Sequence, residues 1–267
     1  MKNIISTKSI LVLLLSFITG TLNVVAQQMQ HNEKVLIVLS AADNWTRADG
    51  SLYPSGYWAE EFVEVHKEFV ESGFTVDIAT PNSVKPTADE KSLDPKIVGN
   101  EKAVAFTYYI TALSKELNHP LELSNINMKE YEAVIIPGGH GPVEDLYKDK
   151  DMGKLLFAAE KSSKIIGAVC HGQAALLSAV DSKGNWLFKG RKMTAFSDEE
   201  EIEFGTADNA PWLLASTLRK YGAKYEKGKN WSDYVVVDKN LITGQNPASS
   251  VSMAKAIIDT LNKETKK

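Results

Sequence analysis

Cysteine is nearly missing from this chain of 267 residues, which has only Cys170. No internal disulfide can form, so stability must come from packing, and the thiol is left for reactivity or simple burial. Histidine is scarce as well: His31, His66, His119, His140 and His171 are the full set, and none follows position 171. Chemistry that takes its base from far downstream of the cysteine, as in glutamine amidotransferases, therefore lacks that base. The apolar stretch at residues 10–18 is about half the roughly 20 residues that a membrane-spanning helix needs. Positive charge is also in short supply. Thirty basic residues face 34 acidic ones, a net charge of −4, which argues against nucleic acid as a partner. Internal repeats and low-complexity segments are absent.

What is present begins with Lys2 and Lys8 ahead of that apolar stretch, followed by Val24-Val25-Ala26 before Gln27. This is a signal-peptide pattern, with cleavage expected after Ala26 and export to the periplasm or beyond. No cysteine lies near the cleavage point, so no lipid anchor is expected, nor any stable membrane insertion after cleavage. The charge balance then becomes 28 basic against 34 acidic residues, a net of −6. After a linker at 27–33, residues 34–264 have the length of one α/β domain.

Residues 34–40 read as a strand, apolar throughout 35–39, of the kind buried on both faces of a parallel sheet. Trp58, Phe62, Val65 and Phe69 recur at helical spacing through 57–72 until Gly73, and 74–79 reads as the second strand. Residues 85–130 read as an insertion covering one sheet edge, with a helix expected at 104–117. The alternation resumes with strands at 133–136 and 165–169, separated by a helix at 152–162. A helix is expected directly after Cys170, hairpins at 186–188 with 193–196 and at 234–237 with 241–243, and helices at 209–221 and 247–262. Strands separated by helices imply a three-layer α/β sandwich, with ligands bound at the carboxyl ends of its strands.

The chemistry-bearing residues fall at those ends. In Ile166-Gly167-Ala168-Val169-Cys170-His171-Gly172 an apolar strand runs into a reactive residue with small neighbours, the layout of a nucleophile elbow. A helix N-terminus there would favour the thiolate. Pro137-Gly138-Gly139-His140-Gly141 follows another buried strand. Its Gly139 N–H could join that of His171 in an oxyanion hole, with His140 either lining the site or facing solvent. On the first helix, Glu60 and Glu61 are adjacent and point in different directions, so at most one faces the cysteine. The acidic run Asp198-Glu199-Glu200-Glu201 could orient a histidine or be a solvated face.

Taken together, these residues resemble the ThiJ/PfpI superfamily, of class I glutamine amidotransferase-like (flavodoxin-like) fold, and within it the heat-shock-chaperone and glutathione-independent glyoxalase III branch. The similarity runs through roughly 34–262 and includes Thr194 to Glu201 and Leu241 to Ala248. It implies a mostly parallel sheet with a small inserted subdomain, and a triad of Cys170, His171 and Glu201, the last lying five residues after Phe196. It also implies that Glu61, twelve residues before Gly73, hydrogen-bonds the cysteine. Branch members often carry proline where this chain has Gln173, and some bind a metal through two histidines and a glutamate, of which only His140 has a counterpart here. No cofactor and no metal are expected.

The activity implied is that of glyoxalase III (D-lactate dehydratase), converting a small 2-oxoaldehyde such as methylglyoxal to a 2-hydroxy acid. A stress-protective chaperone role and a homodimer are implied beside it. The alternatives are a PfpI-type cysteine peptidase or amidase, and a non-enzymatic holdase or redox sensor.

Overall fold

The computed structural model describes residues 33–264; the signal-peptide pattern lies outside the described residues. A seven-stranded sheet is built from β1 (Lys34–Val38), β2 (Thr75–Thr80), β3 (Leu121–Glu122), β4 (Ala133–Ile136), β5 (Ile165–Val169), β6 (Val235–Asp238) and β7 (Leu241–Gly244), in the order β6-β7-β5-β4-β1-β2-β3. All neighbours are parallel except β6 and β7, which form an antiparallel hairpin.

Period-two alternation explains why β1 has no polar face. Leu36 and Val38 join one core with Val134, Ile136, Ile166 and Ala168, while Val35, Ile37 and Leu39 join the other with Ala133, Ile135 and Ile165. The first core is covered by helix α3 (Lys150–Lys161) through Met152, Leu155 and Leu156, and by α5 (Leu214–Tyr221). The second is covered by α1 (Ala59–Glu71) through Phe62, Val65 and Phe69, and by α6 (Ser250–Glu264). Helix α2 (Asn100–Ala112) packs outside α1. Short α4 (Asp198–Phe204) carries a capping box in which Ser197 and Glu200 serve each other's backbone groups. The sandwich is therefore α/β with a mostly parallel sheet. No helix among the described residues is long and apolar enough to cross a membrane.

Several elements differ from expectation. Cys170 is followed by a seven-residue 3-10 helix, Gly172–Ser178, rather than an α-helix, which removes the helix-terminus argument for a thiolate. The hairpin expected at 186–188 with 193–196 does not form. Lys192–Met193 instead pairs in parallel with Lys224–Tyr225, and Trp186 makes only an isolated bridge to Val180. Asn209 belongs to a 3-10 turn, and α5 begins only at Leu214, beyond Pro211. The helical stretch of 100–118 breaks at Leu113. The loop after β1 holds an unexpected two-stranded ribbon, Asn44–Thr46 with Leu52–Pro54.

The elbow fits only because two glycines let it. A Cβ on Gly172 would lie 2.0 Å from the Ile136 carbonyl oxygen, and one on Gly138 would lie 2.6 Å from the His171 nitrogen. Both obstacles are backbone, which cannot turn aside. Gly172→Ala is expected to destabilise the protein by about 3 kcal/mol or more, measured by urea unfolding; a change under ~1 kcal/mol would show that the loops can part.

Candidate active site

Sequence carries the chain from a buried strand straight into a strained residue. Cys170 has φ +62°, in the left-handed region that a non-glycine residue occupies at a cost of about 1–3 kcal/mol. Two backbone bonds hold it there: Cys170 N–H donates to the Gly244 carbonyl at 3.1 Å, and Phe196 N–H donates to the Cys170 carbonyl at 3.0 Å. Beneath the elbow, Gln173 Nε2 lies within 3.1 Å of the Ala168, Thr194 and Gly244 carbonyls, tying β5 and β7 to the strand before α4. That gives the polar residue at this position a purpose proline could not serve.

Four of the expected residues meet here. Cys170 Sγ lies 3.3 Å from His171 Nδ1, and His171 Nε2 lies 2.8 Å from Glu201 Oε1. Glu201 also accepts a short hydrogen bond from the Thr206 hydroxyl. Burial alone would raise Glu201, but the charges of His171 and His140, with the hydrogen bond from His171, outweigh it, so the carboxyl lies well below the ordinary range. Burial pushes the His171 imidazole down against the pull of Glu201. The consistent assignment is an ionised Glu201 accepting Nε2–H, which leaves Nδ1 free to take a proton from sulfur.

Glu61, fully buried, is the fourth. Its Oε2 accepts the Gly138 N–H at 2.6 Å, and its Oε1 has no aligned hydrogen-bond partner, so its contact with the thiol is a loose one. Desolvation pushes its carboxyl from 4.5 up to about 8, even though it sits in the first turn of α1, where the helix dipole favours a negative charge. The dipole is worth at most about 2 kcal/mol, and burial costs more. Glu60, by contrast, turns outward to pair with Lys102, which settles which of the two faces the cysteine. Cys170 does not have the low thiol pKa that a helix terminus would give. Burial raises it well above the ordinary value, and the Glu61 charge raises it further.

His140 lines the site. It stacks on Trp45 at 4.5 Å and leans on His171 at 4.4 Å. Its Nε2 lies 3.4 Å from Glu201 Oε1, within ion-pair range but not aligned as a hydrogen bond. Gly139 has φ +84° and packs against Gly56, where a Cβ would meet the carbonyl oxygen at 2.3 Å. The Gly139 and His171 amides enter none of the backbone bonds of the surrounding turns, whereas Gly138 N–H is committed to Glu61. His140, His171 and Glu201 bring ligand-type atoms within 4.8 Å of one another, a set that could hold a metal ion. A cation there would take the same Nε2 and Oε1 atoms that couple His171 to Glu201. His66 stands apart, buried against Tyr109 at 2.9 Å and pushed down to about 4 by burial.

A small cavity of about 30 Å³ opens over Cys170, His171 and His140. Its walls include Trp58, Phe196, Phe204 and Trp231, aromatic residues that the sequence reading used only as fold markers or did not single out. Trp231 is held over the site by its N–H to Glu200 Oε1 at 2.8 Å and its Nε1 to Glu203 Oε2 at 2.5 Å. Glu200, also missed, is fully buried and accepts from Gln245, Asn246 and Ser197 as well. Its signal was legible: Ser197-x-x-Glu200 is a capping box.

A sequence profile described as ThiJ/PfpI family-like matches residues 52–207. The chain is 30% identical over 236 residues to the glutathione-independent glyoxalase of Saccharomyces cerevisiae, covering 86% of this chain and 98% of that one. It is 27% identical over 239 residues to a protein/nucleic acid deglycase of Staphylococcus aureus, covering 85% and 80%. The crystal structure of glyoxalase III from Candida albicans superposes with a TM-score of 0.74 at 27% identity, covering 86% and 97%. A buried cysteine at an α/β elbow, backed by histidine and glutamate, defines the class, and this chain belongs to the ThiJ/PfpI family.

Because the folded state keeps the Glu61 proton up to about pH 8 while the unfolded chain releases it near 4.5, this group's stabilising contribution is lost as pH rises between those values. Glu61→Gln cannot ionise. Its melting temperature is expected to gain on wild type steadily from pH 5 to pH 9, and a pH-independent difference would contradict a buried, proton-holding Glu61.

Proposed function

We propose that this chain is a glutathione-independent glyoxalase, taking methylglyoxal or a related 2-oxoaldehyde and water to the 2-hydroxy acid, in the manner of a D-lactate dehydratase. The observation that carries this reading is the 3.3 Å and 2.8 Å relay from Cys170 through His171 to Glu201, beside a buried carboxyl whose proton is exchangeable near neutral pH. The names of the S. cerevisiae and C. albicans relatives support it.

The residues supply each step. His171 Nδ1 takes the thiol proton as sulfur bonds to the aldehyde carbon, and the aldehyde oxygen, held by the Gly139 and His171 amides, is protonated to a hemithioacetal. Glu61, ionised in a minor fraction near neutral pH, removes the hydrogen from that carbon while the ketone oxygen gains a proton, giving an enediol. Return of a proton to the second carbon, with loss of the hydroxyl proton from the sulfur-bearing carbon as its C=O re-forms, leaves a 2-hydroxy thioester. Water then displaces sulfur, which recovers its proton. One carbon is oxidised and its neighbour reduced by the same amount, so no external redox partner is required. A carboxyl near pH 8 suits this exchange, since proton transfer is most efficient when the pKa lies near the working pH.

The cavity lining favours a small carbonyl substrate over a polypeptide, because the aromatic side chains of Trp58, Phe196, Phe204 and Trp231 crowd the space over Cys170. A redox sensor calls for a low thiol pKa, whereas burial drives this one up. A holdase role has separate support: Val104 and Tyr108 on α2 are 70% and 77% exposed.

Incubating the purified protein with methylglyoxal is expected to yield lactate, and Cys170→Ala to lower that rate at least about 10³-fold with the fold intact. Lactate formation by Cys170→Ala at the wild-type rate would end the proposal, while suppression of protein aggregation should survive the substitution. Export rests on the pattern from Lys2 to Ala26; a secreted form beginning at Gln27 is expected by amino-terminal sequencing, and an intact Met1 would refute it.

A further inference from the structure

Among the described residues, seven buried side-chain nitrogen and oxygen atoms have no hydrogen-bond partner. Native interiors leave few such atoms, because each forfeits its hydration without compensation. Two of the seven, Trp58 Nε1 and His140 Nε2, belong to side chains that line the cavity over Cys170. His140 Nε2 is partly compensated by Glu201 Oε1 at 3.4 Å. Trp58 Nε1 has nothing comparable. An indole N–H only donates, so whatever satisfies it must be an acceptor.

The tryptophan is well fixed for this task. Its backbone N–H donates to the Gly138 carbonyl at 3.0 Å, and its ring meets Phe204 edge to face at 6.0 Å. It is also the N-cap of α1, the helix that delivers Glu61 three residues later. Trp58 and the buried carboxyl thus leave one turn three residues apart, and the tryptophan lines the same small cavity as the sulfur.

We propose that Trp58 is a substrate-recognition residue whose indole N–H donates to the second oxygen of a 2-oxoaldehyde, the ketone oxygen adjacent to the carbon that Cys170 attacks. This deepens the glyoxalase reading and rests on it. In a cavity this small, a ligand bonded to sulfur through one carbon must lay its neighbouring oxygen against the wall. During enediol formation that oxygen gains negative charge, so the donor acts more strongly on the transition state than on the bound aldehyde. An aldehyde without the second oxygen would leave the N–H buried and unpaired, which is how a site built around a hydrogen bond rejects the analogue lacking it.

The test compares wild type with Trp58→Phe, which keeps an aromatic ring and removes the donor. With methylglyoxal, kcat is expected to fall about 10²-fold with a smaller change in KM. Modification of Cys170 by methyl methanethiosulfonate, which offers no carbonyl oxygen, is expected to proceed within twofold of wild type. Equal turnover by the two proteins would overturn the proposal, and so would a parallel loss of turnover and thiol modification, since that is what a purely packing role predicts. A second arm measures methylglyoxal binding by calorimetry in a Cys170→Ala background, where Trp58→Phe is expected to weaken affinity about tenfold. If wild type forms no lactate, the glyoxalase reading fails. The binding arm then judges the donor separately, and unchanged affinity would overturn it.

Discussion

The strained turn at Cys170 is the constraint on which the rest of the site depends. This left-handed posture survives because the loop after β4 packs close through Gly138 while Gly172 lets the next turn slide over the Ile136 carbonyl. The Gly244 carbonyl and the Phe196 amide clamp it from the opposite side. Strain of this kind persists only where neighbours overdetermine the conformation. Here the neighbours are carboxyl ends of adjacent parallel strands, the place where an open α/β sheet presents ligand sites.

Electrostatics then sorts two buried glutamates into different states. Glu201 receives hydrogen bonds from His171 and Thr206 and stays ionised, whereas Glu61 receives only the Gly138 amide and holds its proton to about pH 8. The contrast follows from the imidazoles that face Glu201 and offset its burial, whereas desolvation dominates at Glu61. It gives the site one fixed anion that polarises the imidazole and one exchangeable proton beside the sulfur. The thiol itself rests protonated, so its activation belongs to the moment when His171 can take the proton and a substrate is in place.

Much of this was legible from the sequence. Strands buried on both faces announce themselves as unbroken apolar runs, and the elbow is readable because Cys170 sits between such a run and small residues. The pairing of Cys170, His171, Glu61 and Glu201 came from family resemblance rather than spacing, since nothing in the local pattern ties Glu201 to a histidine thirty residues earlier. What was not legible depends on long-range contacts. Lys192–Met193 pairs with Lys224–Tyr225 across α4 and α5, and no local alternation encodes that. The acidic run could not be sorted into inward and outward carboxylates from sequence for a similar reason. Asp198 and Glu199 reach surface partners in Arg219 and Lys227, while the next two carboxylates turn inward. A run of four on a helix spans more than one turn and cannot share a single face.

Glu200 and Glu201 are consecutive on α4, and that adjacency has a mechanical result. One carboxylate holds the segment bearing Trp231 and the other holds the imidazole, so a single short helix serves as the common anchor of roof and floor. A displacement of α4 that raised the indole to admit a bulkier molecule would also draw the carboxylate away from His171. Access and reactivity are therefore geared together, and widening the entrance without dulling the sulfur would require change elsewhere on the rim.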